Sequence, residues 1–334
     1  MKKRRLVVVW AMMMSMLMIT GCGNTDKQGD TKELEKITFV LDWTPNTNHT
    51  GLYVAQELGY FEEAGLAVEI VQPPEDGAEV LVASGRAQFG VSFQESLAPA
   101  FAGDNPLPIT AAAGIIQHNT SGIISRAGEG MHTPKGMEGH NYSTWNGSIE
   151  LATLKAVVEA DGGDFDKVEL IPSKVTDEVS ALRTNSTDSI WIFYAWAGVK
   201  TELEGLETDY FAFAEIDSVF DYYTPVIISS NKFLEEHPET AKAFMTALSK
   251  GYQYAMEHPE EAAEILCKAA PELDKELVVA SQKYLTEQYQ ADAPYWGQID
   301  GERWNNFYQW VNEHDLVEGE IPLDTGFSNE YLPK

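Results

Sequence analysis

The chain has 334 residues, of which 44% are apolar and 22% charged, a composition that supports packed cores and excludes a largely disordered protein. Its 52 Asp and Glu against 23 Lys and Arg give a formal net charge of -29, which excludes a nucleic-acid partner, because phosphate binding needs basic stripes. With only two cysteines, Cys22 and Cys267, a disulfide framework, a cysteine zinc cluster and an iron–sulfur centre are excluded as well.

The chain begins with a basic cluster, Lys2, Lys3, Arg4 and Arg5, ahead of an uncharged apolar run over residues 6–19. That order reads as a secretory signal, and the run is shorter than the roughly 20 residues of a bilayer span. It ends in Ile19, Thr20, Gly21 and Cys22, which resembles the lipobox of bacterial lipoproteins, where the cysteine takes a diacylglyceryl group and becomes the new N-terminus. Residues 1–21 are therefore expected to be a signal peptide, Cys22 the lipidation site and residues 22–35 a polar tether to the membrane. The competing reading of Cys22 is an ordinary buried or disulfide cysteine. Cys267 sits in an Ala- and Leu-rich helical pattern and reads as a small buried apolar residue.

From residue 36 the pattern alternates. Residues 36–41 read as a strand, 42–50 as a turn-rich loop, 51–58 as a helix, 68–71 as a strand, 78–84 as a helix, 89–91 as a strand and 96–102 as a helix. Short connections between alternating elements indicate an open, mostly parallel α/β sheet, with ligands at the carboxyl ends of its strands. Apolar strands over 109–115 and 122–124 follow, and then a stretch rich in Gly, Pro and charge over 126–139, which reads as a crossing between lobes. A second α/β unit comes next, with strands at 141–144, 168–171 and 190–193 and helices at 148–160 and 177–183. A return strand over 223–228 leads to amphipathic helices over 234–256 and 259–270. The expected domains are one lobe from residues 36–125 and 226–334 and a second, inserted lobe from 126–225.

The segment LDWTPNTNHTGLYVAQELGYFEEAGLAVEIV over residues 41–71 resembles the opening of the NMT1/THI5-like family, within the wider nitrate-, sulfonate- and taurine-type binding proteins. The narrower pattern DWTPNTNHTG with YVAxxxGYF is similar to the binding proteins for thiamine pyrimidine precursors such as formylaminopyrimidine. The similarity continues through FGVSFQES at 89–96 and NYSTWNGSIE at 141–150. The resemblance implies an α/β, periplasmic-binding-protein-like fold of type II, two α/β lobes with a hinge, and a small-molecule ligand held between them.

The candidate ligand-binding residues lie where such a cleft would be. Trp43, just past a strand end, reads either as a ring that stacks on a heterocycle or as a cap on the local core. Asn46, Asn48 and His49 share its loop. An amide there can pair two-pronged with an aminopyrimidine edge, but Asn also stabilises turns by itself, and His49 is equally a structural hydrogen bonder. Phe93, Gln94 and Glu95 follow another strand end. The Glu95 carboxylate reads as an acceptor for an exocyclic amine or a protonated ring nitrogen, or as a complement to the helix dipole. Asn119 precedes the crossing. In the inserted lobe, Trp145, Asn146, Gly147 and Ser148 form a strand-to-helix turn whose amides suit a formyl or hydroxyl oxygen. Of the aromatic group Trp191, Phe193, Tyr194 and Trp196, whose strand positions alternate inward and outward, most reads as core and Tyr194 and Trp196 are the candidates; Tyr222 and Tyr223, with Asp221 or Glu215 for a carboxylate, stand near the return crossing.

Together these features point to a ligand-capturing monomer, not an enzyme, anchored outside the membrane and serving an ABC permease and its ATPase, with no cofactor and no metal. The sequence contains no GxxxxGK[ST] phosphate loop of its own. The family also contains the yeast-type hydroxymethylpyrimidine phosphate synthase, associated with pyridoxal phosphate on a lysine, a cysteine cluster and a histidine. No lysine lies between Lys36 and Lys135 and the cysteine cluster is missing, which leaves His49 as the one echo. A sulfonate or nitrate ligand would need cations or helix N-terminal donors; Arg86 and Arg126 are the nearby cations, and neither reads as cleft-facing. Hydroxymethylpyrimidine remains an alternative ligand.

Overall fold

The computed structural model describes residues 33–74, 77–173 and 175–334. The signal segment and Cys22 lie outside the described residues. Ten strands form two five-stranded sheets with the same pattern. In the first, β1 (Glu35–Val40) pairs in parallel with β2 (Leu66–Val71) and β3 (Phe89–Ser92), and β10 (Val226–Ser230) runs antiparallel between β3 and β4 (Ile109–Gly114). In the second, β6 (Asn141–Thr144) pairs in parallel with β7 (Glu169–Pro172) and β8 (Ser189–Phe193), and β5 (Ser121–Arg126) runs antiparallel between β8 and β9 (Thr208–Ala212). Each sheet thus takes one antiparallel strand from the chain as it enters or leaves the other lobe, which is the two-lobed periplasmic-binding-protein fold of type II.

This topology corrects the first lobe boundary. Residues 121–126 belong to the second sheet, so the chain crosses at 115–120, and the Gly- and Pro-rich stretch 126–139 is a loop inside the second lobe. The return crossing runs through 221–225 into β10, so residues 223–225, expected as the start of the return strand, lie in the crossing. Element ends shift as well, most of all in two helices. The helix expected from residue 96 starts at Gln94 with Phe93 as its N-cap. The helix expected over 234–256 is broken into Asn231–Glu236 and Pro238–Glu257 at His237, because Pro238 opens the second helix and has no N–H to continue the first.

The core of the first lobe forms on the alternating face of β1, where Ile37 and Phe39 are 1% exposed. Phe89 and Phe61 stack on Phe244 at 4.1 and 5.1 Å between ring centroids, so β3 and the short helix Tyr60–Glu63 share one aromatic seat on the long helix Pro238–Glu257. The helix Thr50–Glu57 lies against the same long helix at Gly51 and Gly251. A Cβ on Gly51 would stand 2.4 Å from the Tyr252 ring, and one on Gly251 2.0 Å from the Gly51 carbonyl oxygen. Glycine at both positions permits this approach, which sets the loop after β1 against the body of the lobe.

Candidate functional site

Two loops at strand carboxyl ends line the groove between the sheets. The first follows β1. Its Asp42 carboxylate meets His49 Nε2 at 2.6 Å, while His49 Nδ1 accepts the Asn46 amide at 3.2 Å, which fixes His49 as the Nε2–H tautomer. Asn46 Oδ1 in turn accepts the Asn48 amide at 2.9 Å and caps the turn Thr47–His49. Elements distant in sequence hold the loop from outside: the Tyr252 hydroxyl donates to the Asn48 carbonyl at 2.6 Å and the Tyr289 hydroxyl to the Thr47 carbonyl at 2.7 Å. Thr47 Oγ1 lies 2.6 Å from Ser281 Oγ. The loop leaves the Trp43 ring 66% exposed.

The second loop, Trp145 to Gly147, joins β6 to the helix Ser148–Ala160, and it is organised by Glu150. Although 2% exposed, this carboxylate accepts from the Tyr142 hydroxyl at 2.7 Å, Thr144 Oγ1 at 3.0 Å and the amides of Trp145 and Gly147 at 3.2 and 2.9 Å. Asn146 takes φ 61°, a left-handed turn position that suits Asn. Trp145 is 51% exposed and sits edge-on to Trp191 at 5.4 Å.

Between the loops, Phe93 and Phe193 stack across the groove at 6.1 Å with 18° between their planes. They line both of two adjoining chambers, which together form one cleft. The first, of about 310 Å³, is lined by Trp43, Asn46, Asn48, Trp196 and the crossing residues Ile116, Thr120, Thr224 and Pro225. The second, of about 460 Å³, is lined by Glu95, Trp145, Gly147, Ser148, Trp191 and Tyr222, and closed by Leu316 and Val317. Chambers of this size match those that take small ligands. Among the described residues no Lys, Arg or His lines either one.

Asp42, Glu95 and Glu150 are the carboxylates on this lining, and Glu95 is the one with a buried oxygen that lacks a hydrogen bond. Its Oε1 accepts from Thr224 Oγ1 at 3.4 Å, while its Oε2 is closed to solvent and has no hydrogen-bond partner. Burial pushes its carboxyl group from 4.5 up to about 8. The Tyr222 hydroxyl is also buried, beside Asn119 and Ser121 but without a hydrogen bond of good geometry, and burial followed by the charge of Glu95 raises it.

Of the candidates from the sequence, Trp43, Asn46, Asn48, Phe93, Glu95, Trp145, Gly147, Ser148, Trp196 and Tyr222 line the cleft. The others have structural duties. His49 is spent on Asp42 and Asn46. Gln94 is fully buried, donating to the Trp304 carbonyl at 2.9 Å and accepting the Tyr223 amide at 2.9 Å. Asn119 donates its side chain to the Phe220 carbonyl at 2.8 Å and accepts the Ser121 amide at 2.8 Å, and its own amide donates to Asp221 at 2.9 Å, which ties one crossing to the other. Tyr223 points away to the far side of the crossings, where its hydroxyl accepts from the Asp300 amide at 2.8 Å and from Arg303. Tyr194 packs on Tyr210 and Tyr284, its hydroxyl on Glu202, and Glu215 is exposed outside both chambers. Asn146 shapes its turn. Trp191 and Phe193, expected in the core, line the cleft instead: they alternate on β8 with Ile190 and Ile192, which face the buried core of the second lobe.

The same crossings are braced from behind. Arg303 Nη1 donates to the Gln117 carbonyl at 2.7 Å and to Asp221 Oδ2 at 3.1 Å, and His118 Nδ1 meets the same carboxylate oxygen at 2.7 Å.

The family described as NMT1/THI5 like matches residues 46–262. The formylaminopyrimidine-binding protein of Halalkalibacterium halodurans is 30% identical over 96% of this chain and 97% of its own length. The 4-amino-5-hydroxymethyl-2-methylpyrimidine phosphate synthase of Legionella pneumophila is 26% identical over 89% of this chain and 92% of its own. Among solved structures, the alkanesulfonate-binding protein SsuA of Xanthomonas axonopodis pv. citri, bound to MOPS, superposes with a TM-score of 0.67 at 12% identity, over 89% of this chain and 99% of its own, which is a likeness of fold. On the family match and the relative that covers nearly all of it, the chain belongs to the NMT1/THI5-like family.

Proposed function

We propose that this protein is the extracytoplasmic solute-binding component of an ABC importer and captures a thiamine pyrimidine precursor such as N-formyl-4-amino-5-aminomethyl-2-methylpyrimidine. The observation that carries this reading is the cleft itself: aromatic side chains from both lobes, hydrogen-bonding groups between them, and no cationic side chain on its lining among the described residues. Such a site favours a flat, neutral heterocycle and disfavours an anion, since burying a charge without a counter-charge costs several kcal/mol. The lobes close by bending at the two crossings, and the closed form is presented to the permease and its ATPase. The protein acts as a monomer, held to the membrane by lipid on Cys22.

The relative from Legionella named as a synthase makes the enzyme reading the second candidate. It is disfavoured by the absence of any lysine between Lys36 and Lys135 and by a count of two cysteines, and His49 is already occupied by Asp42 and Asn46. Titration calorimetry with formylaminopyrimidine, hydroxymethylpyrimidine, taurine and nitrate tests the ligand class. Heat from a pyrimidine and silence from both anions is the expected result, whereas tight binding of taurine or nitrate alone defeats the pyrimidine assignment. Release of a Cys22→Ala variant from the membrane fraction tests the anchor.

A further inference from the structure

We propose that the cleft reads its ligand through an amidine-type edge, a ring nitrogen beside an exocyclic amino group, paired two-pronged with the carboxylic acid of Glu95 in the chamber beyond Phe93 and Phe193. The inference rests on the ligand-capture reading above and names the chemistry of its polar contact. Glu95 lines the larger chamber from the first turn of the helix Gln94–Phe101, and its Oε2 is buried with no partner in the protein. A buried group left without a hydrogen bond costs about 1 to 3 kcal/mol until something supplies one. The side chains around it, Phe93, Trp145, Trp191, Phe193 and Tyr222, offer flat faces to a ring.

The ionisable groups near Glu95 come from three elements. Tyr222 stands on the return crossing and Tyr308 on the helix Gly301–Glu313, and the pKa of each is raised by its own burial and then by Glu95. Glu150 lines the same chamber from the opposite wall, with its oxygens occupied by four donors. None of the three supplies a positive charge, so Glu95 is held as the acid, consistent with its rise to about 8. A carboxylic acid presents one donor and one acceptor side by side. Its O–H donates to the ring nitrogen and its C=O accepts from the amino group, which is the complement of a 4-aminopyrimidine. A carboxylate would set its charge against the lone pair of the ring nitrogen, so above its titration point Glu95 takes up a proton in order to bind.

Glutamine offers the same donor and acceptor without a titration, which makes it the diagnostic variant. Calorimetry on the full chain, with formylaminopyrimidine and an analogue whose ring amino group is replaced by methyl, covers about pH 6 to pH 9.5. Wild-type affinity is expected to be level up to about pH 7 and to fall by about tenfold per unit above about pH 8. Glu95→Gln should bind within about threefold of wild type at pH 7 and stay level, while Glu95→Leu and the methyl analogue should each lose at least about tenfold. Should Glu95→Leu fail to fold, the profile of Glu95→Gln decides. Undiminished binding by Glu95→Leu, or a wild-type profile that stays level to the top of the range, overturns the pairing and leaves ligand capture standing. Absence of heat from every pyrimidine at every pH overturns both.

Discussion

The loop after β1 and the turn after β6 occupy the same place in their respective sheets, and each sets one exposed tryptophan over the cleft, Trp43 at 66% and Trp145 at 51% exposure. The means of support differ. The first loop is bound to segments far along the chain, through Tyr252, Tyr289 and Ser281, and Ser281 donates onward to the Ala195 carbonyl beyond β8. The second is gathered around Glu150, only a few residues away, and among the described residues reaches across the cleft through one bond, from Ser148 Oγ to the Leu316 carbonyl at 2.8 Å. One wall is therefore part of the frame and the other is a preformed unit. A cleft that closes on its ligand needs both kinds, because the wall that moves has to keep its shape without help from the wall that does not.

Removing the organiser of the second wall should have the largest effect. Glu150→Ala leaves two hydroxyls and two amides without their acceptor in a site that is 2% exposed, and a loss of about 3 to 5 kcal/mol in chemical denaturation is expected. Glu150→Gln, which keeps an acceptor in place, should lose less. A loss below about 1 kcal/mol for the alanine variant would mean that the turn holds itself without the carboxylate. The matching cut in the first wall is His49→Ala, which strips Asp42 of its partner and the Asn46 amide of its acceptor. About 2 kcal/mol is expected. Because the outer ties through Tyr252 and Tyr289 remain, this variant should stay folded and lose ligand affinity along with stability.

The comparison also explains which parts of the molecule were legible in the sequence. Strand and helix order follow from local periodicity, and the strand ends that carry Trp43, Phe93 and Trp145 follow from it directly. The first crossing does not, because residues 115–120 contain no Gly or Pro, whereas the loop over 126–139 contains both. The turn signal therefore pointed to a bend inside the second lobe. Polar residues near the cleft were legible as polar but not as ligand contacts or structural ties. Gln94 and Asn119 are spent on the carbonyls of Trp304 and Phe220, partners 210 and 101 residues away, and nothing local reveals them. On β8, alternation separates Trp191 and Phe193 from Ile190 and Ile192 but does not say which face lines the cleft, so both aromatics read as core.

The two tryptophans sharpen the contrast at a smaller scale. Trp43→Ala and Trp145→Ala remove mostly exposed rings, so melting temperatures in the absence of ligand should hardly change, while pyrimidine affinity falls by about 1 kcal/mol or more for each. Of the two, Trp145 is the more coupled to its neighbours through its contact with Trp191. A clear loss of stability from Trp43→Ala would place that ring in the core and not in the cleft.

The smallest expected effect tests how far the frame of the first wall extends into the crossings. His118 links Asp221 of the return crossing, at 2.7 Å, to Asp292, at 3.0 Å, with its ring 40% exposed. Its pKa is raised from 6.5, chiefly by the hydrogen bond to Asp221, with burial opposing. A folded value above the unfolded one means that the native state binds the proton more tightly, so the stabilisation is complete below 6.5 and fades as pH rises through the raised value. Exposure and solvent screening keep the contribution to at most about 1 kcal/mol. The stability gap between wild type and His118→Gln should therefore be widest near about pH 5.5 and narrow towards about pH 8.5. A gap that stays constant across that range would show that His118 braces the crossings as a neutral ring, through packing and geometry alone. The tie between Arg303 and Asp221 would then hold the two crossings together without an imidazolium beside it.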